Sequence, residues 1–289
     1  MTSSMIHYAS DAPILVFGGP YSNLQATEAI RREAERRGIA PDRIICTGDV
    51  VAYCAAPRRT VDLIRDWGIR VVAGNCEQQL GADRADCACG FGDGSPCAVL
   101  AKSWYEHARN EIDTERRAWM AALPQTLRFA YAGRSFRVIH GGTEVVNRWV
   151  FASDATIIGE ELVRAGADVV IAGHSGVPFV RRVGPQAWFN PGVVGMPAND
   201  GTADSWYGII AAQSGEVRLS THRLSYDHRS AADDLESAGF APPYAKALVT
   251  GLWPSLDVMP DAERRATGQP IAEASVILGA KHAHAGDLA

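Results

Sequence analysis

Four positions stand out for the chemistry their side chains can do: Asp49 in Thr47-Gly48-Asp49, Asn75 in Gly74-Asn75, His140 in His140-Gly141 and His174 in Gly173-His174. Each closes a short apolar run and has a glycine beside it. A carboxylate, an amide oxygen and two imidazoles make a hard-to-borderline donor set for a divalent transition metal. Glycine at such a place lets the backbone turn sharply, so that a short side chain can aim at a common centre. Taken singly, an aspartate after glycine is usually a turn or cap residue, and a lone histidine usually serves the core or the surface. The metal reading rests on the four together.

For those residues to meet, the chain must lay down strands whose ends share one edge, and the first half does alternate strand-like and helix-like patterns. Ile14–Phe17 is a short apolar run ending in Gly18-Gly19-Pro20. Ser22 with Gln25 gives a capping-box pattern, predicting a helix through about Gly38. Arg43–Cys46 reads as the next strand. Pro57 suits the first turn of a helix whose Val61, Ile64 and Trp67 share one face. Ile69–Ala73 then reads as a strand. Residues 77–97, short of aliphatics and rich in Gly, Asp and Cys, are expected to form an irregular insertion or cap.

Helices are expected over Val99–Ile112 and Glu115–Ala122, and a hairpin over Leu127–Ala132 and Ser135–Ile139 through Gly133-Arg134. Strands follow at Asp168–Ala172, Phe179–Val183 and Ala187–Phe189, then a closing hairpin at Tyr207–Ala212 and Glu216–His222. From about Tyr226 the pattern turns helical and then loop-like, with a loose end after Gly279. In α/β sheets, ligands gather at the carboxyl ends of strands, which is where the four candidate ligands fall.

With 289 residues the chain can bury the core of one large α/β domain or two small ones. A composition of 47% hydrophobic and 21% charged residues fits a soluble globular protein. The net charge is −5, so no basic surplus favours nucleic acid or a membrane surface as partner. No apolar stretch is long enough to span a bilayer. The N-terminus lacks the basic region and long apolar core of a signal peptide. A cytoplasmic location with reduced thiols is therefore expected.

The stretches GDVVAYC (48–54), GNCE (74–77), HGG (140–142), GHSGVPF (173–179) and NPGVVGMP (190–197) follow one another at these strand ends. In that order they resemble the calcineurin-like metallophosphoesterase superfamily, especially its small prokaryotic phosphodiesterase branch, from about Ile14 to His222. The resemblance implies a four-layer α/β/β/α sandwich over residues 1–225, with the Cys-containing insertion at about 77–97. Residues 226–289 would then be a helical and loop C-terminal extension. It also implies a two-metal site, whose second set of ligands falls on Asp49, Asn75, His140 and His174, with Asp49 bridging. The first set would come from a D-x-H motif and the second His of G-H-x-H. Here those positions are Gly19, Tyr21 and Gly176. Keeping one full set while losing the rest of the other points to a mononuclear site for one divalent transition metal, with Mn, Fe, Zn and Ni not distinguished.

One ion could still act as a Lewis acid, without the symmetric clamp of a two-metal centre. By the family's geometry Tyr21 points into the vacated site, where it would orient a phosphate oxygen or simply fill space. Cys76 follows the asparagine, as in the small phosphodiesterase branch. A thiol is a poor acid for an alkoxide, so good leaving groups would be favoured. His107 and His228 are proton donors that no motif places at the site, and a satisfied or solvent-facing role suits each. Asn190 and Pro191 are expected to shape a loop.

Of the six cysteines, Cys46 lies inside a strand and reads as core. The spacing of Cys76, Cys87, Cys89 and Cys97 matches no common zinc or iron–sulfur signature. Cys54 and Cys76 belong to loops that surround the family's site. An insertion folded over that site would bring Cys87 and Cys89 near, giving a thiol-lined second site from Cys54, Cys76, Cys87, Cys89 and Cys97. The alternative is a set of small buried hydrophobes.

The expected function is a metal-dependent phosphoesterase acting on a small-molecule phosphodiester or activated phosphomonoester. The alternatives are a non-catalytic binder of metal, phosphate or nucleotide, and metal or thiol chemistry on a non-phosphate substrate.

Overall fold

Ile14-Leu15-Val16-Phe17 is apolar at every position because both faces of the strand are covered. Ile14 and Val16 meet a second sheet, whereas Leu15 and Phe17 meet helices. Alternation vanishes where a strand is buried on both sides. The computed structural model describes residues 5–239 and 242–280.

Along the chain run β1 (Ile6–Tyr8), β2 (Ile14–Phe17), α1 (Leu24–Arg36), β3 (Ile44–Cys46), α2 (Pro57–Trp67), β4 (Arg70–Val71) and α3 (Asn75–Gly81). Next come α4 (Pro96–Glu111), α5 (Thr114–Ala121), β5 (Leu127–Tyr131), β6 (Arg134–Val138), α6 (Ala155–Ala165), β7 (Val169–Ile171), β8 (Phe179–Val183) and β9 (Gln186–Asn190). Then follow β10 (Ser205–Gln213), β11 (Glu216–Leu224), α7 (His228–Ser237), α8 (Pro242–Thr250), α9 (Asp261–Arg265) and β12 (Ser275–Leu278).

The strands form two mixed six-stranded sheets, ordered β1-β5-β6-β7-β9-β8 and β12-β11-β10-β2-β3-β4. Ile14, Val16, Ile45, Phe129, Phe136 and Phe189 fill the space between them. Phe129 and Phe136, partners across the β5–β6 hairpin, stack with ring centroids 4.5 Å apart. On one outer face α1, α2, α4, α7 and α8 pack against β2 and β3. On the other, Ile158 and Leu162 of α6 pack against Val170 and Trp188. The result is the α/β/β/α sandwich that the sequence resemblance implies.

Local chemistry explains the helices that matter to the site. In α2, Pro57 starts the helix, Val61, Ile64 and Trp67 form its buried stripe, and Gly68 ends it in the left-handed region at φ 72°. Full burial of a side chain such as Ile64 contributes about 1.5–3 kcal/mol. For α1 the expected cap is corrected. Asn23, not Ser22, is the N-cap, its side chain accepting from the Ala26 N–H. Ser22 sits at φ 59°, and Gln25 turns away to donate to Asp234 of α7 at 2.7 Å.

The expected insertion is shorter than 77–97, because Glu77–Gly81 belongs to α3 and Pro96 begins α4; the irregular part is 82–95. Two strands escape the sequence patterns. β1 has three residues and pairs with β5, and β12 lies in the stretch that reads as loop yet pairs with β11. Apart from Ala280, the tail expected to be loose after Gly279 lies outside the described residues.

Candidate metal centre

The two sheets each present two of the four side chains. Asp49 and Asn75 lie just beyond the carboxyl ends of the parallel pair β3 and β4, and His140 and His174 just beyond the parallel pair β6 and β7. Glycines let these ends approach. A Cβ on Gly173 would lie 2.0 Å from Thr47 Oγ1, and one on Gly74 would lie 2.3 Å from Asp49 Oδ1.

Asp49 occupies the left-handed region at φ 54°, a conformation that needs outside support in a non-glycine residue. Glu77 supplies it from the first turn of α3. Its carboxylate accepts from the backbone N–H groups of Asp49, Val50 and Gly74, each at 2.8 Å. Burial, with Asp49 nearby, pushes this carboxyl up to about 7, against the three N–H groups that favour its ionised form. Glu77 stands in the quoted GNCE stretch, three residues after the Gly74 N-cap, from where its side chain reaches back to the Gly74 N–H.

Hydrogen bonds fix which atoms face the centre. His140 Nδ1 donates to the Thr47 carbonyl at 2.7 Å, which leaves Nε2 without a proton in the neutral ring. Nε2 lies 2.9 Å from His174 Nδ1, 3.1 Å from Asn75 Oδ1 and 3.2 Å from Asp49 Oδ2. Asn75 in turn donates its Nδ2 to the Cys87 carbonyl at 2.9 Å, which turns its oxygen inward. The His174 ring sits against Trp149, with centroids 4.3 Å apart.

All these groups are buried, and their ionisation follows from that. Burial lowers the pKa of His174 to about 3, helped by His140. For Asp49 burial opposes ionisation, but His140 and His174 outweigh it and hold the carboxyl below its ordinary value. In His140 burial is likewise overcome, by Asp49, and the pKa rises.

A carboxylate oxygen, an amide oxygen and two imidazole nitrogens thus converge on one small volume. One proton on one imidazole relieves only part of that crowding, whereas a divalent cation satisfies all of it. The donor set therefore fits a metal. Among the described residues, Asp49, His140 and His174 are the group of three or more His, Cys, Asp or Glu whose donor atoms lie within 4.8 Å of one another.

The cysteines do not share in such a cluster. Cys87 and Cys89 are joined by a disulfide, unlike the reduced thiols expected, while Cys46, Cys54, Cys76 and Cys97 are free and buried. Cys76 and Cys89 do flank the site, with their Sγ atoms 3.6 and 3.5 Å from Asn75 Nδ2. Burial raises the Cys76 pKa well above its ordinary value, with Asp49 adding to it, so the group stays a thiol. Cys54 lies apart, its Sγ facing the Gly195 carbonyl.

Loop 82–95 does fold over the centre. Besides the Asn75–Cys87 bond, Asn147 donates to the Ala88 carbonyl at 3.0 Å and Phe91 lies against Trp149. An aromatic cleft opens beside His174, lined by Tyr21, Tyr53, Trp149, Tyr244 and Trp253 among others. Gly176 and Cys97 also line it, and Cys76 does not.

The Tyr21 ring covers Gly19, where an added Cβ would lie 2.4 Å from its Cζ. Burial, with Asp49, raises the Tyr21 pKa well above its ordinary value, so its hydroxyl is a neutral donor. His107 is engaged at the Ala55 carbonyl and His228 opens α7, so neither joins the centre. Asn190 shapes its loop as expected, donating to Ser175 Oγ and accepting from the Gly192 N–H. Trp149 carried no sequence signal.

The fold and the Asp–His–His group define a class. The calcineurin-like phosphoesterase superfamily domain matches residues 7–214, and the chain belongs to that superfamily. An uncharacterised protein of Methanocaldococcus jannaschii is 26% identical over 251 residues, covering 81% of this chain and 93% of that protein. A metallophosphoesterase from Sphaerobacter thermophilus shares the fold with a TM-score of 0.67 and 22% identity, covering 84% of this chain and all (100%) of that one. A hypothetical protein of Pyrococcus horikoshii OT3 gives a TM-score of 0.71 at 14% identity, covering 83% of this chain and 99% of the other.

Proposed function

We propose that the chain is a metal-dependent phosphoesterase that cleaves a small-molecule phosphodiester or activated phosphomonoester, using one divalent cation held by Asp49, Asn75, His140 and His174. The observation that carries the reading is the 2.7 Å bond from His140 Nδ1 to the Thr47 carbonyl, which turns Nε2 towards Asn75 Oδ1, Asp49 Oδ2 and His174 Nδ1 in one buried centre. A cation bound there would supply Lewis acidity towards a phosphoryl oxygen. A single ion is favoured because the positions expected to hold the first set of ligands are Gly19, Tyr21 and Gly176, and the Tyr21 ring covers Gly19.

The chain's own residues then divide the work. Asp49 is held ionised, and His140 and His174 are held in place by Thr47 and Trp149. Tyr21 lines the cleft with a neutral hydroxyl that can donate to a phosphoryl oxygen. Cys76 is buried, stays protonated and does not line the cleft, so it supports the site by packing. Among the described residues lining the cleft there is no carboxylic acid or lysine to protonate a departing alkoxide. That favours substrates with a good leaving group.

The test is metal content per chain beside turnover of bis(p-nitrophenyl) phosphate, in wild type and His174→Ala. About one equivalent of metal with turnover, both lost in the variant, is the expected result. Metal without turnover would instead favour a non-catalytic phosphate-binding role, which the coverage of Gly19 by Tyr21 also fits.

A further inference from the structure

We infer that the cleft beside His174 receives an aryl group, so that the substrate is a compact aryl phosphoester whose only anionic part is the phosphoryl group at the metal centre. The inference rests on the phosphoesterase reading and adds the chemistry of the group attached to phosphorus.

The cleft adjoins the centre at His174, which lines the one and belongs to the other. Its described lining contains no Lys, Arg, Asp or Glu. A second phosphate placed there would be stripped of water with no cation to meet it, a costly arrangement. A polyphosphate chain or a charged sugar phosphate therefore fits badly, and an uncharged apolar group fits well.

The walls are largely aromatic. Tyr53 packs on Tyr21 and Tyr244 with centroids 4.8 and 4.9 Å apart, and Trp149 and Trp253 also line the space. Aromatic rings bind other rings edge-on or offset at such separations. Trp253 is fixed in place, with its Nε1 donating to the Pro197 carbonyl at 2.7 Å and its backbone N–H to Asn199 Oδ1 at 2.8 Å. A wall fixed beforehand loses little entropy when a ligand arrives.

The experiment is calorimetric titration of the manganese-loaded protein with phenylphosphonate and methylphosphonate, repeated after chelation. Phenylphosphonate should bind at least about tenfold more tightly than methylphosphonate. Trp253→Ala should remove that preference while leaving methylphosphonate unchanged, and Trp253→Phe should retain most of it. Equal, metal-dependent affinity for both phosphonates would overturn the aryl subsite and leave the metal reading standing. A phenyl preference that survives chelation would support the subsite and remove the metal from it. No binding of either would overturn the subsite.

Discussion

The side-chain amide of Asn75 donates to the carbonyl of Cys87 at 2.9 Å, so the loop that covers the centre also decides which end of that amide faces it. Rotating the amide would withdraw its oxygen from the centre and set it against the Cys87 carbonyl, oxygen facing oxygen. Lid and candidate ligand are therefore mechanically one unit.

Asn75→Ala and Asn75→Asp separate the two halves of that unit. The alanine variant loses the donor oxygen, and its metal content at fixed free manganese should fall by about 10–100-fold in affinity terms. The aspartate variant keeps an oxygen for the metal but turns a second one towards the Cys87 carbonyl. Amide hydrogen exchange across residues 82–95 should then accelerate by about tenfold, the order expected when a buried hydrogen bond is replaced by two facing acceptors. Unchanged exchange there would detach the loop from Asn75.

Glu77→Gln should be destabilising by about 1–3 kcal/mol, because an amide must present an N–H to at least one of the three backbone donors the carboxylate now satisfies. Urea unfolding of metal-free protein isolates this effect from any loss of metal. A shift in midpoint below the experimental error would mean that Asp49 keeps its left-handed backbone without this support.

At the sheet junction, Gly173→Ala should cost about 1–3 kcal/mol through overpacking against Thr47 Oγ1. Thr47→Ala in the same chain removes the closest atom but leaves the Thr47 Cβ 3.0 Å away, so recovery should be partial. A double-mutant cycle on melting curves measures the coupling. Strict additivity would show that the two residues do not collide.

Away from the centre, Glu33 gives a pH dependence with a defined sign. Arg36 first, with Tyr207 and Arg37, lowers its pKa from 4.5 to about 2. A carboxyl depressed on folding stabilises the protein above its unfolded value and loses that contribution as pH falls through the folded value. The stability gap between wild type and Glu33→Gln should therefore be constant near neutrality and shrink between pH 4.5 and about 2. Melting temperatures over that range provide the check. A gap that widens on acidification would refute the assignment.

How much of this was legible in the sequence depends on how local each feature is. Asp49, Asn75, His140 and His174 announced themselves because each ends a strand beside a glycine, a purely local pattern. The α2 stripe of Val61, Ile64 and Trp67 was equally readable. Asn23 displaced Ser22 as the cap because Ser22 took a left-handed turn set by contacts with Val50 and Ala56, far along the chain. β12 has four residues and acquires its identity only by pairing with β11, so no periodicity could show it. Trp149 becomes part of the site because Glu161, buried in α6, accepts from the Thr143 N–H and from Arg148 and so fixes the loop between them. Such a link is tertiary from the outset.

The division of ligands between two sheets sets an order of events during assembly. Asn75 and His140 are 65 residues apart and come from different sheets, so their side chains meet only after those sheets have docked across the phenylalanine-rich interior. An unfolded chain presents the cation with scattered donors and no cavity. A metal held by these groups would accordingly arrive late, at a polypeptide that has already folded. Once bound, it would act as a rivet through the seam and slow the separation of the two halves more than it hastened their meeting.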